Sequence, residues 1–136
     1  MRVFISSVVS EFEEYRAAAK RAVETLDGVP VMCEDFGAMP YSSERACITE
    51  IESSDVFVLL LGSRFGYEQA PGISVTQQEF RHACGLALPI LVFVQGVAME
   101  PDQELFRAEV EAYHAGFSRE QFLTPEELKD KIIQTL

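Results

Sequence analysis

Tryptophan is absent from these 136 residues, and histidine is represented only by His82 and His114. Cysteine occurs three times, as Cys33, Cys47 and Cys84. The three are odd in number and far apart, with no C-x-x-C pair and no histidine at ligand spacing. No metal site and no disulfide framework is therefore expected, and a reduced, cytoplasmic setting fits better. Two histidines so placed support no serine or cysteine triad, and neither a P-loop nor a G-x-G-x-x-G fingerprint occurs. Basic residues are scarce, 11 against 22 acidic, for a net charge of −11. That balance disfavours nonspecific nucleic-acid binding, which rests on Lys and Arg releasing counterions. It equally disfavours anionic membrane surfaces, and the bland reading of the acidity is solubility. Long hydrophobic runs are missing too. The longest, Val56 to Leu61, is of strand length, far short of the roughly 18 residues of a membrane span. The N-terminus enters strand-like sequence at once, so no secretory signal is expected.

What is present fits one domain over residues 1–136. Arg2-Val3-Phe4-Ile5 reads as a first strand. Ser10-Glu11-Phe12-Glu13 has the form of a capping box, opening a helix with Phe12, Tyr15, Ala19, Ala22, Val23 and Leu26 inward. Gly28 stops that helix. Val29 to Met32 is a weak strand whose Pro30 assigns it to a sheet edge. Residues 34–41 read as loop, and 43–52 as a helix with Ala46, Cys47, Ile48 and Ile51 inward. Val56 to Leu61 is apolar on both alternating faces, as a central parallel strand is. Gly62 to Ser74 reads as a long loop. Thr76-Gln77-Gln78-Glu79 is a second capping box, opening a helix that Pro89 closes. Ile90 to Val94 is a further strand. Pro101 to about Ala115 is a helix carrying Leu105, Phe106, Val110 and Tyr113. Residues 117–122 contain a weak edge strand, and Thr124-Pro125-Glu126-Glu127 caps the last helix with proline at its first position. This alternation specifies an α/β fold with right-handed crossovers. The expected architecture is a flavodoxin-like open parallel sheet of about four or five strands, order 2-1-3-4-5, with helices on both faces. The final helix runs to the end without a stop signal, so the chain is expected to be the N-terminal part of a longer multidomain protein.

In such sheets ligands bind beyond the carboxyl ends of the strands where strand order reverses, here between the first and third strands. Ser6 and Ser7 leave the first; Gly62, Ser63, Arg64, Phe65, Gly66 and Tyr67 leave the third. The serines offer hydroxyls and N–H groups, the glycines close backbone approach, and Arg64 a partner for phosphate. Phe65 and Tyr67 offer stacking faces. Each has a plainer reading: the serines as a turn, Arg64 as a surface ion pair, Phe65 as core. Glu79 is the sharpest candidate. A carboxylate early in that helix can bond a ribose, or stabilise or capture an oxocarbenium-like centre as an N-glycosidic bond breaks. The positive end of the helix dipole favours its charged form. The competing reading makes Glu79 the third member of the capping box. His82, one turn on, reads as solvent-facing, His114 as complementing a helix C-terminus, and Cys84 as core.

Several segments taken together resemble a known family: Val3-Phe4-Ile5-Ser6-Ser7 followed by an acidic helix with Arg16, then Glu34-Asp35-Phe36, then Ser54-Asp55-Val56-Phe57-Val58. Gly62-Ser63-Arg64-Phe65-Gly66, Ser74-Val75-Thr76-Gln77-Gln78-Glu79-Phe80 and Pro89-Ile90-Leu91-Val92-Phe93 complete the set. They resemble a family of TIR-like domains catalogued only as a domain of unknown function. The resemblance implies an N-terminal module of larger proteins with STAND-type NTPase and repeat regions, some in anti-phage defence. In related TIR domains assembly switches on NAD cleavage at the nicotinamide–ribose bond by a helix glutamate, and nucleoside 2-deoxyribosyltransferases use a similarly placed one. By resemblance Glu79 takes that role, with Ser6, Ser7 and Arg64 in ligand contact. The arginine–tyrosine dipeptide of the family loop reads Arg64-Phe65 here.

Three functions follow as expectations. The first is a TIR-like signalling or effector domain that cleaves NAD as substrate, holds no permanent cofactor, and completes its site by self-association. The second is a non-catalytic protein–protein interaction module, and the third a nucleoside or nucleotide transferase or sensor. In all three the partners are other domains of the parent chain or a second copy, and neither nucleic acid nor membrane.

Overall fold

The central strands of the sheet are short and strongly apolar, so each must bury both of its faces. In the computed structural model, which describes residues 1–33, 43–113 and 120–136, the elements run β1 (Arg2–Ser6), α1 (Glu13–Thr25), β2 (Val29–Val31), α2 (Ser43–Glu52), β3 (Val56–Leu61), β4 (Glu68–Ala70), β5 (Ile73–Ser74), α3 (Val75–Gly85), β6 (Ile90–Gln95), α4 (Pro101–Tyr113), β7 (Glu120–Phe122) and α5 (Pro125–Thr135). Five strands form a parallel sheet in the order β2-β1-β3-β6-β7. With the separate β4-β5 hairpin set aside, this is the expected 2-1-3-4-5 order. Pro30 does lie in an edge strand.

Strand alternation explains the two cores. Phe4, Phe57, Leu59, Leu61, Val92 and Val94 point to one face, where Cys47, Ile51, Phe80, Phe106 and Val110 of α2, α3 and α4 cover them. Val3, Ile5, Val58, Leu60 and Phe93 point to the other, under Ala19, Ala22 and Val23 of α1 and Leu128 and Ile132 of α5. Phe4 and Phe57, paired neighbours on β1 and β3, stack with ring centroids 5.6 Å apart.

Four expectations need correction. Helix α1 starts at Glu13 with Phe12 as its N-cap and no side-chain cap bond, so Ser10 and Glu13 form no capping box. Phe12 is buried and stacks on Tyr15, and that anchor fixes the helix entry. The stretch 62–74 is not all loop: Glu68 pairs with Ser74 and Ala70 with Ile73 in an antiparallel hairpin. On α4 the buried line is Gln103, Phe106 and Val110, while Leu105 is 70% exposed and Tyr113 also faces out. Gln103 turns inward because its amide donates to the Gly62 carbonyl at 3.0 Å. Finally, Cys33 and Cys47 are joined as a disulfide, with Cα atoms 5.8 Å apart. They lie 14 positions apart in sequence, and no local spacing pattern reveals that the end of β2 meets α2. The readings for Glu34 to Phe36 and His114 lie outside the described residues. Among the described residues no helix is long and apolar enough to cross a membrane.

Candidate functional site

Helix α3 begins two residues earlier than the Thr76 box requires, and the consequence falls on Glu79. Ser74 is the N-cap: its hydroxyl accepts from the Gln77 N–H at 3.0 Å. Ser74-Val75-Thr76-Gln77 is itself a capping-box pattern. The register places Glu79 in the second turn, beyond the reach of any capping role. Its side chain, 7% exposed, turns instead toward the end of β1. There Ser6 donates its hydroxyl to Glu79 Oε1 at 2.7 Å. Cys33 Sγ lies 3.1 Å from the other oxygen, Oε2. The two carboxylate oxygens thus face different neighbours.

Above Glu79 opens a pocket of about 460 Å3 at the carboxyl ends of β1 and β3, within the roughly 300–1,000 Å3 of ligand sites. Ile5, Val8, Val9, Ile48 and Val75 give it apolar walls; Ser7, Arg16, Thr76, Gln78 and Glu79 give it polar ones. Cys33 and Cys47 form part of its lining, and Arg64, Gly66 and Tyr67 complete it. An apolar cleft with a few convergent polar groups is the usual form of a small-molecule site.

Each expected site residue has a definite place. Ser6 is buried beneath the pocket, where it positions Glu79. Ser7 lines the pocket; its hydroxyl donates to the Val8 carbonyl and accepts from Arg16 Nη1 at 2.7 Å. Arg64 lines it while pairing with Glu11 at 2.7 Å, an arrangement that holds its guanidinium protonated, chiefly through that hydrogen bond. Gly66 carries φ +84°, and a Cβ there would meet Val8 Cγ1 at 2.5 Å. Only glycine lets the two loops approach this closely. Tyr67 is 79% exposed on the pocket wall. Phe65 stands apart: it is 6% exposed and belongs to the core under α2, α3 and α4. Its N–H donates to Glu100 Oε1 at 2.7 Å, which ties the β3 loop to α4. His82 faces Glu52 rather than Glu79, and Cys84 is half-buried against the core.

Among the pocket residues outside the expected set, Arg16, Cys33 and Cys47 carry the most chemistry. Arg16 lies on the buried face of α1, four residues after Phe12, and also donates to the Ser7 carbonyl. An arginine in line with Phe12, Ala19 and Val23 is a sequence signal for an inward charge. Cys33 and Cys47 gave no such signal.

With this geometry in place, the likenesses fall into order. The pattern of the family described as "Domain of unknown function (DUF4062)" matches residues 2–136. No curated protein sequence matches the chain. Among solved structures, the RPS4 and RRS1 TIR domain heterodimer is similar with a TM-score of 0.58 and 17% identity, over 99% of this chain and 95% of that one. A 2-desoxiribosyltransferase from Leishmania mexicana is similar with a TM-score of 0.52 and 20% identity. That likeness covers 68% of this chain, which spans 63% of the enzyme's length. At these identities the likenesses show a shared, TIR-like fold and nothing more.

Proposed function

The chain belongs to the DUF4062 family, a domain of unknown function, and from that starting point we propose that its pocket takes a nucleoside-type ligand and cleaves the N-glycosidic bond, with NAD as the substrate. The observation that carries this reading is the placement of Glu79. A buried carboxylate, not used as a helix cap, is presented at the floor of the pocket at the switch point of the sheet. A polar group converging on an apolar cleft is a candidate for binding or chemistry there.

In the proposed reaction the C1′–N bond breaks and its electron pair goes to the nicotinamide nitrogen. Glu79 stabilises or captures the ribosyl cation at C1′. Water then supplies a hydroxyl to C1′ and gives up a proton, so that NAD and water yield nicotinamide, ADP-ribose and a proton. Ser6 holds the carboxylate in place through Oε1. The Arg16 and Arg64 guanidinium groups line the same pocket, where they suit phosphate or ribose oxygens. Tyr67 is open for stacking against a base. The similarity to a 2-desoxiribosyltransferase supports a nucleoside-type ligand.

A test is to present the concentrated or clustered domain with NAD and a panel of nucleosides, following released base by chromatography and binding by thermal shift. A bound ligand at a hundredfold excess over Kd raises stability by about 2.7 kcal/mol. Release of nicotinamide, or of a nucleobase, that Glu79→Gln abolishes supports the reading. Ligand-independent melts and no release from any substrate reject it.

A second reading, a self-associating interaction module, is favoured by the exposed Val9 and Tyr67 on the pocket wall. The similar TIR domains form a heterodimer. This reading predicts that Tyr67→Ala dissociates assemblies that Glu79→Gln leaves intact.

A further inference from the structure

Cys33, Cys47 and Glu79 come from three different elements and bring two sulfurs and one carboxylate oxygen within 4.8 Å of one another. We infer that, once a dithiol or phosphine reductant supplies the two electrons that open the Cys33–Cys47 disulfide to two thiols, these three residues form a binding site for a soft divalent cation of the zinc type. The donor set suits such an ion: two thiolates and one carboxylate, with a fourth position open to the pocket, is the three-ligand pattern of open zinc sites. A tetrahedron with Zn–S bonds of about 2.3 Å separates its sulfurs by roughly 3.7 Å. Cysteines whose Cα atoms are 5.8 Å apart reach that separation by rotating their side chains.

The surroundings are prepared for it. Cys47 and Glu79 are buried and Cys33 is half-buried. Ser6 bonds Glu79 Oε1 at 2.7 Å, and Oε2 lies 3.1 Å from the sulfur of Cys33. A hydroxyl that fixes one carboxylate oxygen and so aims the other is the usual outer support of a metal ligand. On binding, two thiols each lose a proton, two Zn–S bonds and one Zn–O bond form, and two protons leave to solvent. The disulfide has no thiolate to offer, so oxidation and metal binding exclude each other at the same atoms. The inference concerns metal binding alone, and it stands whether or not Glu79 cleaves a glycosidic bond.

The test uses the whole chain, reduced with a phosphine and freed of metal, and titrated with Co2+ as a spectroscopic stand-in. The expected result is one cobalt per chain with a thiolate-to-cobalt charge-transfer band, displaced by Zn2+ and absent after oxidation. Cys33→Ser and Cys47→Ser abolish the band, Cys84→Ser leaves it unchanged, and Ser6→Ala weakens binding about 10- to 100-fold. A measurement on the unmodified chain guards against misfolded variants: Zn2+ protects Cys33 and Cys47, but not Cys84, from alkylation mapped by mass spectrometry. No band in the reduced chain, a band that survives Cys47→Ser, or no protection of the pair overturns the inference.

Discussion

Replacing Ser74 by alanine removes the side-chain acceptor at the start of α3, and with it the register that turns Glu79 toward the pocket. Loss of an N-cap hydroxyl costs about 0.5–2 kcal/mol. Ser74 is 1% exposed and its bond to the Gln77 N–H is buried. Water therefore cannot replace the lost acceptor, which places the cost in the upper part of that range, about 1–2 kcal/mol. For a domain of this length that lowers Tm by roughly 3–10 °C. Thr76→Ala is the matched control. It sheds a methyl worth about 0.8 kcal/mol and a hydroxyl that caps nothing, and regains much of that in helix propensity, for a net loss under about 1 kcal/mol. Urea and thermal unfolding of both variants under one redox condition measure the difference. If Thr76→Ala is the costlier of the two, the helix is capped from Thr76, Glu79 returns to the capping box, and the case for a carboxylate presented to the pocket fails.

Phe65→Ala, which empties a core position, costs about 3–5 kcal/mol in chemical unfolding, whereas Tyr67→Ala, on an exposed ring, changes stability by under about 0.5 kcal/mol and weakens only ligand binding. The Glu109 carboxyl is held below its ordinary value of 4.5, first by the two-pronged hydrogen bond from Arg81 and then by Gln77, against an opposing effect of burial. A depressed carboxylate contributes stability that is present above the unfolded value and is lost as pH falls through the folded one. Stability curves of the parent and Glu109→Gln should therefore converge as pH drops below about 4.5, and a gap that widens in acid contradicts this. Burial raises the Cys84 thiol pKa above its usual 9.0, so at neutral pH Cys84 should be alkylated more slowly than a free cysteine peptide.

The sheet was legible because its strands are apolar on both faces: Val56 to Leu61 and Ile90 to Val94 have few other ways to fold. Helix α2 and the Thr124 cap, whose hydroxyl accepts from the Glu127 N–H, were legible for local reasons too. The start of α3 was not, since Ser74-x-x-Gln77 and Thr76-x-x-Glu79 satisfy the same capping rule two residues apart. The hairpin that delivers Ser74 decides between them, with the Val75 N–H donating to the Tyr67 carbonyl at 3.0 Å. Ser10 and Glu13 matched that rule as well, and lost to the packing of Phe12 on Tyr15. That Ser7, Arg64, Gly66 and Tyr67 line one pocket follows from their place just after β1 and β3, where sheet order reverses, and Glu79 of α3 opens onto the same pocket. Ser6 was found for a different role, since its contact with Glu79 spans 73 residues. The meeting of Cys33 and Cys47 is likewise tertiary, and no local pattern carries it.

The most direct measurement is nicotinamide release from NAD by the chain at high concentration, beside Glu79→Gln, with unfolding curves recorded for both. The account predicts release by the parent chain and a loss of at least about a hundredfold in the variant, with the variant still folded. Release that persists in a folded Glu79→Gln chain contradicts the role assigned to that carboxylate.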